Sequence, residues 1–138
     1  MPMAEVNYLA ILVAAIAAFV LGAVWYSPAL FGRLWLRAQG WTPERKAQMK
    51  EGVGRSYGIS FVCYLVMASV LAMLFSFAGF LGAADGLWLG FLCWLGFAAT
   101  IGLTRHLFSD RPISLYLIDG AYQLAYLLAM GGIIGIWR

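Results

Sequence analysis

The residues best placed to do chemistry are Asp119, Gln123 at i+4, Tyr126 at i+7 and Tyr116 at i−3. On a helix these positions share one face and make a polar stripe in an otherwise apolar run. A carboxyl group in hydrocarbon costs at least ~2.5–3.5 kcal/mol on insertion scales, so Asp119 is expected to face other helices, find a partner or carry a proton. Two arrangements follow. In one, Asp119, Gln123, Tyr116 and Tyr126 meet Ser60 and Thr100, which stand at matching depth on neighbouring spans, and line a small polar cavity that takes a ligand, a proton or a cation. In the other, Asp119 pairs with an arginine at the rim (Arg55, Arg105 or Arg111) and locks two helices together.

Other constellations are poorer. His106 is the single histidine and lacks further ligands at metal-binding spacing. Ser109, His106 and Asp110 crowd one short loop with no nucleophile elbow. The chain has no phosphate-cradling glycine loop, no paired carboxylates and no Cys-His set, so neither a catalytic site, a cofactor nor a metal is expected. Cys63 and Cys93 fall inside apolar runs at different depths, which argues against a bridge and for two packed thiols.

The elements that must position these residues are apolar. Of 138 residues, 64% are hydrophobic and 11% charged, and mean hydropathy is +0.86. A soluble domain is about 45–50% apolar and about 25% charged. The apolar residues form four blocks, about 7–26, 56–78, 86–104 and 113–136, each near the ~20 residues that cross a bilayer. The expected fold is all-α: one domain over 1–138, an integral membrane four-helix bundle. The first block is expected to be a permanent span and not a signal peptide, because Glu5 stands where a basic residue belongs and no polar domain follows.

A net charge of +3 does not indicate nucleic acid, since the basic residues sit in loops beside spans. Arg33, Arg37, Arg45, Lys46, Lys50 and Arg55 lie between the first two blocks, and Arg105 and Arg111 between the last two. The positive-inside rule then makes loops 27–55 and 105–112 cytoplasmic and leaves both chain ends outside a bacterial inner membrane.

At the end of the first span, Trp25 and Tyr26 are expected to form an interfacial belt. Ser27 and Pro28 suit the cap and first position of a new helix. On it Phe31, Leu34, Trp35 and Ala38 share one face, with Arg33 and Arg37 opposite and Leu36 fitting neither. Such a helix lies in the membrane plane. Thr42 and Pro43 repeat the device for a short polar helix, and Asn7 is the expected cap of the first span.

"NYLAILVAAIAAFVLGAVWYSPALFGRLW" and "LIDGAYQLAYLLAMGGIIGIW" resemble the domain of unknown function 1761 family, small bacterial four-span membrane proteins. The resemblance covers nearly the whole chain and implies the same architecture. It brings no activity, substrate or site residue.

Small residues recur every fourth position at Ala14, Ala18 and Gly22, at Ala121, Ala125 and Ala129, and in the pairs Gly86–Gly90 and Gly131–Gly135. In lipid, close backbone approach at such faces holds helices together. More faces are present than three hairpin contacts need, so the chain is expected to oligomerise or join a larger membrane complex without catalysis, in contact with the lipid bilayer. The alternative is a small proton- or cation-linked permease or channel, built from several copies around Asp119. An intramembrane enzyme has least support.

Overall fold

Asn7 opens the first helix: its side-chain oxygen accepts from the backbone N–H of Leu9 and Ala10 at 3.0 and 3.2 Å, satisfying two donors that a helix start leaves unpaired. The structure, a computed structural model, describes residues 6–40, 44 and 52–137. Thr42, Pro43, Arg45, Lys46 and Lys50, with the short polar helix expected there, lie outside the described residues, as do Glu5 and Arg138.

Among the described residues five helices are complete: α1 (Tyr8–Trp25), α2 (Gly32–Gln39), α3 (Val53–Phe77), α4 (Gly82–Leu107) and α5 (Ile113–Ile136). Among the described residues there is no strand. α1, α3, α4 and α5 are long and apolar enough to cross a membrane. They match the four expected blocks, with α4 beginning four residues earlier because Asp85 accepts from the Leu81 N–H at 2.9 Å and closes the helix start there. Within α4, residues Trp94–Ala98 form a π-helical turn.

α5 is the centre. In its most apolar stretch 44% of residues are buried, against 11% in α4, so α5 carries the core and α4 faces outward. The two run antiparallel at close range. A Cβ on Gly86 would strike the Gly131 carbonyl, one on Gly90 the Leu127 carbonyl, and one on Gly135 the Gly82 carbonyl. Only glycine permits backbones this near. The expected glycine pairs thus meet each other, joined by Gly82, which the spacing of Gly86 and Gly90 extends by one step.

α1 lies on the other side of α5, with Ala14 and Ala18 fully buried between α1 and its neighbours. Asn7 donates through its side-chain amide to the Trp137 carbonyl at 3.1 Å. Trp25 donates to the Ile118 carbonyl at 3.1 Å at the far end. These contacts fix α1 antiparallel to α5 and bring residues 7 and 137 to the same end of the bundle. α3 packs along α1, where Phe19 meets Tyr57 and Phe61 edge-on at 5.8 and 6.0 Å.

The alanines of α5 depart from expectation. Ala121 is exposed, and Ala125 and Ala129 are half-buried. The buried face is instead Ile118, Tyr122, Tyr126, Met130 and Ile134 with the glycines. Cys63 is exposed and Cys93 half-buried, both free, so Cys63 is not a packed thiol.

Candidate functional site

The turn after α1 decides the site. Pro28 has no N–H to continue a helix, and the residue before a proline is pushed away from the α region. Ser27 does not cap the next helix as expected. Its hydroxyl donates back to the Val24 carbonyl at 2.7 Å, and α2 starts at Gly32 with no side-chain cap. A Cβ on Gly32 would strike the Tyr26 carbonyl, so this sharp reversal needs the glycine of "FGR". The chain folds back over the end of α5, and α2 ends at Gly40 in the left-handed region, φ 70°. Arg111 then donates to the Gln39 carbonyl at 2.7 Å, tying α2 to the α4–α5 turn.

This reversal carries Tyr26, expected in the interfacial belt, and Trp35 of α2 inward. The Tyr26 hydroxyl donates to Asp119 Oδ1 at 2.5 Å, and the Trp35 indole N–H donates to the same oxygen at 3.0 Å. Trp25 also turns inward, to Ile118. The hydrogen-bond donors to Asp119 among the described residues are therefore two neutral aromatic groups, with the rim arginine Arg105 acting on it through its charge alone. Charge-assisted bonds of this kind satisfy a carboxyl group that would be costly if left bare. On α2 itself Phe31, Trp35 and Ala38 are half-buried and Arg33 and Arg37 exposed, as the amphipathic pattern requires, while Leu34 is exposed and Leu36 half-buried because α2 packs on protein through Trp35 and Leu36. Phe31 stacks at a tilt on Trp25, centroids 5.0 Å apart, and Pro28, Arg33 and Arg37 are exposed.

A second polar cluster lies deeper. The Tyr122 hydroxyl donates to the Ala18 carbonyl at 2.8 Å and lies 2.9 Å from the Tyr64 hydroxyl. With Tyr122 donating to the carbonyl, Tyr64 is the donor between the two hydroxyls. Tyr122 contacts the rings of Tyr26 and Tyr126 at 5.3 and 4.9 Å, and Tyr126 also meets Tyr64 at 5.5 Å. Gly22 makes room for this: a Cβ there would sit 2.6 Å from the Tyr122 hydroxyl oxygen.

The expected polar cavity does not assemble as a unit. Thr100 is exposed and bonds back to the Gly96 and Phe97 carbonyls of its own helix. Tyr116 donates to the Ala99 carbonyl at 2.8 Å and packs beside His106, away from Ser60. Gln123 is half-buried. A cleft of about 930 Å³ does exist, on the other side of the Asp119 clamp. α1 supplies Phe19, Gly22 and Ala23 to it, α2 supplies Arg33, Trp35 and Leu36, and α3 supplies Tyr57, Ser60 and Tyr64. Of the expected cavity residues Ser60 alone lines it. Tyr64 and Tyr122, which sequence reasoning passed over, form its deep end. For Tyr122 a signal was available: it is i+3 from Asp119, on the face of α5 that the expected Tyr126 shares at i+7. Among the described residues, no group of three or more His, Cys, Asp or Glu lies together to hold a metal ion.

The four antiparallel spans, the short helix after the first and the glycine-packed α4–α5 pair form one framework, and residues 9–135 match the family described as "Protein of unknown function (DUF1761)". The chain belongs to this family. No curated protein and no solved structure matches it. For DUF1761 the match covers every span, so the clamp and the cleft both lie within the family's own region.

Proposed function

We propose that the protein is a non-catalytic membrane subunit that packs against other helices, in copies of itself or within a larger complex in the lipid bilayer. One observation carries this reading. The polar side chains inside the spans hold the chain's own helices together: Asp119, Trp25, Trp94, Tyr116 and Tyr122 each bond across helices or to a neighbouring segment. Among the described residues no buried side-chain nitrogen or oxygen is left unsatisfied. The face at Ala121, by contrast, is outward and small, which suits close approach of another helix. The test is oxidative crosslinking in native membranes of Ala121→Cys in a chain carrying Cys63→Ser and Cys93→Ser. A species heavier than one chain is expected, and its absence at every outward position of α5 overturns the reading.

The second reading, a proton- or cation-linked permease of several copies around Asp119, draws on the neutral character of that carboxyl group's two partners. It requires Asp119→Asn to alter flux in proteoliposomes while assembly and thermal stability stay intact. The clamp geometry favours the opposite result, a loss of stability.

The proposed setting is a bacterial inner membrane with both chain ends outside. Its support is that the described basic residues of the two loops, Arg33, Arg37, Arg55, Arg105 and Arg111, fall at the end of the bundle opposite Asn7 and Trp137, as the positive-inside rule requires of cytoplasmic loops. A reporter fused after Arg138 that is active only in the cytoplasm overturns this orientation.

A further inference from the structure

The cleft between α1, α2 and α3 has walls, a charge and a depth that together describe an occupant. Its volume, about 930 Å³, is in the range of about 300–1,000 Å³ that holds small ligands. Its rim is accessible: Ala23, Pro28, Arg33 and Tyr57 are exposed. From Tyr57 to Tyr64 it runs ~10 Å along α3, at ~1.5 Å per residue. Phe19, Ala23 and Leu36 give it apolar walls.

Its polar lining is one-sided. Among the described residues Arg33 is the one charged residue that lines it, and no described carboxylate does. Among the described residues the side chains of Arg33, Tyr57 and Ser60 make no hydrogen bond to another, so a guanidinium and two hydroxyls are available as donors. Such a set calls for an acceptor-rich, negatively charged group. The arginine stands on α2, a few residues past the end of the first candidate span, while the hydroxyls of Tyr64 and Tyr122 close the deep end with bonds of their own. An anion at the mouth and hydrocarbon inside is the chemistry of an anionic lipid.

We infer that this cleft is a binding site for one anionic phospholipid, its phosphate held by Arg33 with Tyr57 and its acyl chains lying against Phe19, Ala23 and Leu36. The site goes beyond assembly and does not depend on it. A lipid seated there covers α2 and the turn that carries Tyr26 and Trp35, and so shields the Asp119 clamp from water.

The experiment is native mass spectrometry of the full chain in a neutral detergent, titrated separately with phosphatidylglycerol, phosphatidylcholine and oleate. A saturable adduct of one phosphatidylglycerol per chain is expected, absent with phosphatidylcholine at the same concentration. Arg33→Gln weakens it about fivefold, the effect of one basic residue at a lipid surface. Ala23→Trp, which sets a large ring into the cleft from an exposed position, abolishes it while helicity by circular dichroism is unchanged. Equal binding of both phospholipids, an adduct with oleate alone, a phosphatidylglycerol affinity unchanged by Arg33→Gln, or an adduct that survives Ala23→Trp overturns the inference. Copy number is read in the same spectra, so failure of the lipid site and failure of assembly are separate results.

Discussion

Tyr26 and Asp119, 93 positions apart in sequence, meet in a hydrogen bond of 2.5 Å that fastens the turn after the first span to the second turn of the last. Trp35 completes the clamp from α2. A half-buried carboxyl group is thereby matched with two donors that arrive only because the chain reverses at Ser27–Pro28.

Removing one donor should cost more than removing both partners. Tyr26→Phe leaves Asp119 Oδ1 with the Trp35 N–H as its remaining donor and should destabilise the protein by about 1.5–3 kcal/mol, the range for hydrogen bonds to charged groups. Adding Asp119→Leu to Tyr26→Phe should recover part of that loss. Thermal unfolding in detergent of the single and double variants reads both; equal stability of Tyr26→Phe and wild type would refute the clamp.

The glycines should divide into two classes. Gly86→Ala and Gly131→Ala drive a Cβ into a facing backbone carbonyl, and forced separation of α4 from α5 should cost about 1–3 kcal/mol or more. Gly54 and Gly58 have nothing within 4 Å of such a Cβ. Alanine there should be neutral or stabilise α3 by up to about 1 kcal/mol through helix propensity. Unfolding midpoints of the four variants check the contrast.

Tyr122→Phe removes the donor to the Ala18 carbonyl and the acceptor for Tyr64. Two polar groups lose a partner at once, so a loss of about 1–3 kcal/mol is expected. Gly22→Ala should reproduce part of it by displacing the same hydroxyl. Amide exchange at the α1–α5 contact would rise in both variants.

Asn7→Ala should loosen both chain ends. It takes away the cap of α1 and the bond to Trp137. About 1 kcal/mol is the usual cost of losing such a cap, and proteolysis near residue 137 should accelerate.

Much of the framework was legible because hydropathy over about 20 residues is a strong signal. Four spans, the Asn7 cap and the glycine pairs Gly86–Gly90 and Gly131–Gly135 all follow from it and from small-residue spacing. The site was less so. Counting residues from a helix end gives the depth of Thr100 or Ser60 but not its direction, and Thr100 points outward while Ser60 points into the cleft. Trp25 and Tyr26 at a span end look the same in sequence whether they meet headgroups or fold inward. The reversal that turns them depends on Gly32 and on where α2 finds α5, a tertiary outcome. Ala121 and Ala125 carry the same spacing as Gly86 and Gly90, yet the glycines win the α5 interface because they let backbones come closer.

The most direct test of the proposed role is the mass of the complex that forms when the chain is made at native level, gently extracted and examined by native mass spectrometry. A particle containing several copies, or this chain with a stable partner, is the expected result. A lone chain, with no protein partner under conditions that preserve known membrane complexes, would contradict a role as an assembling subunit.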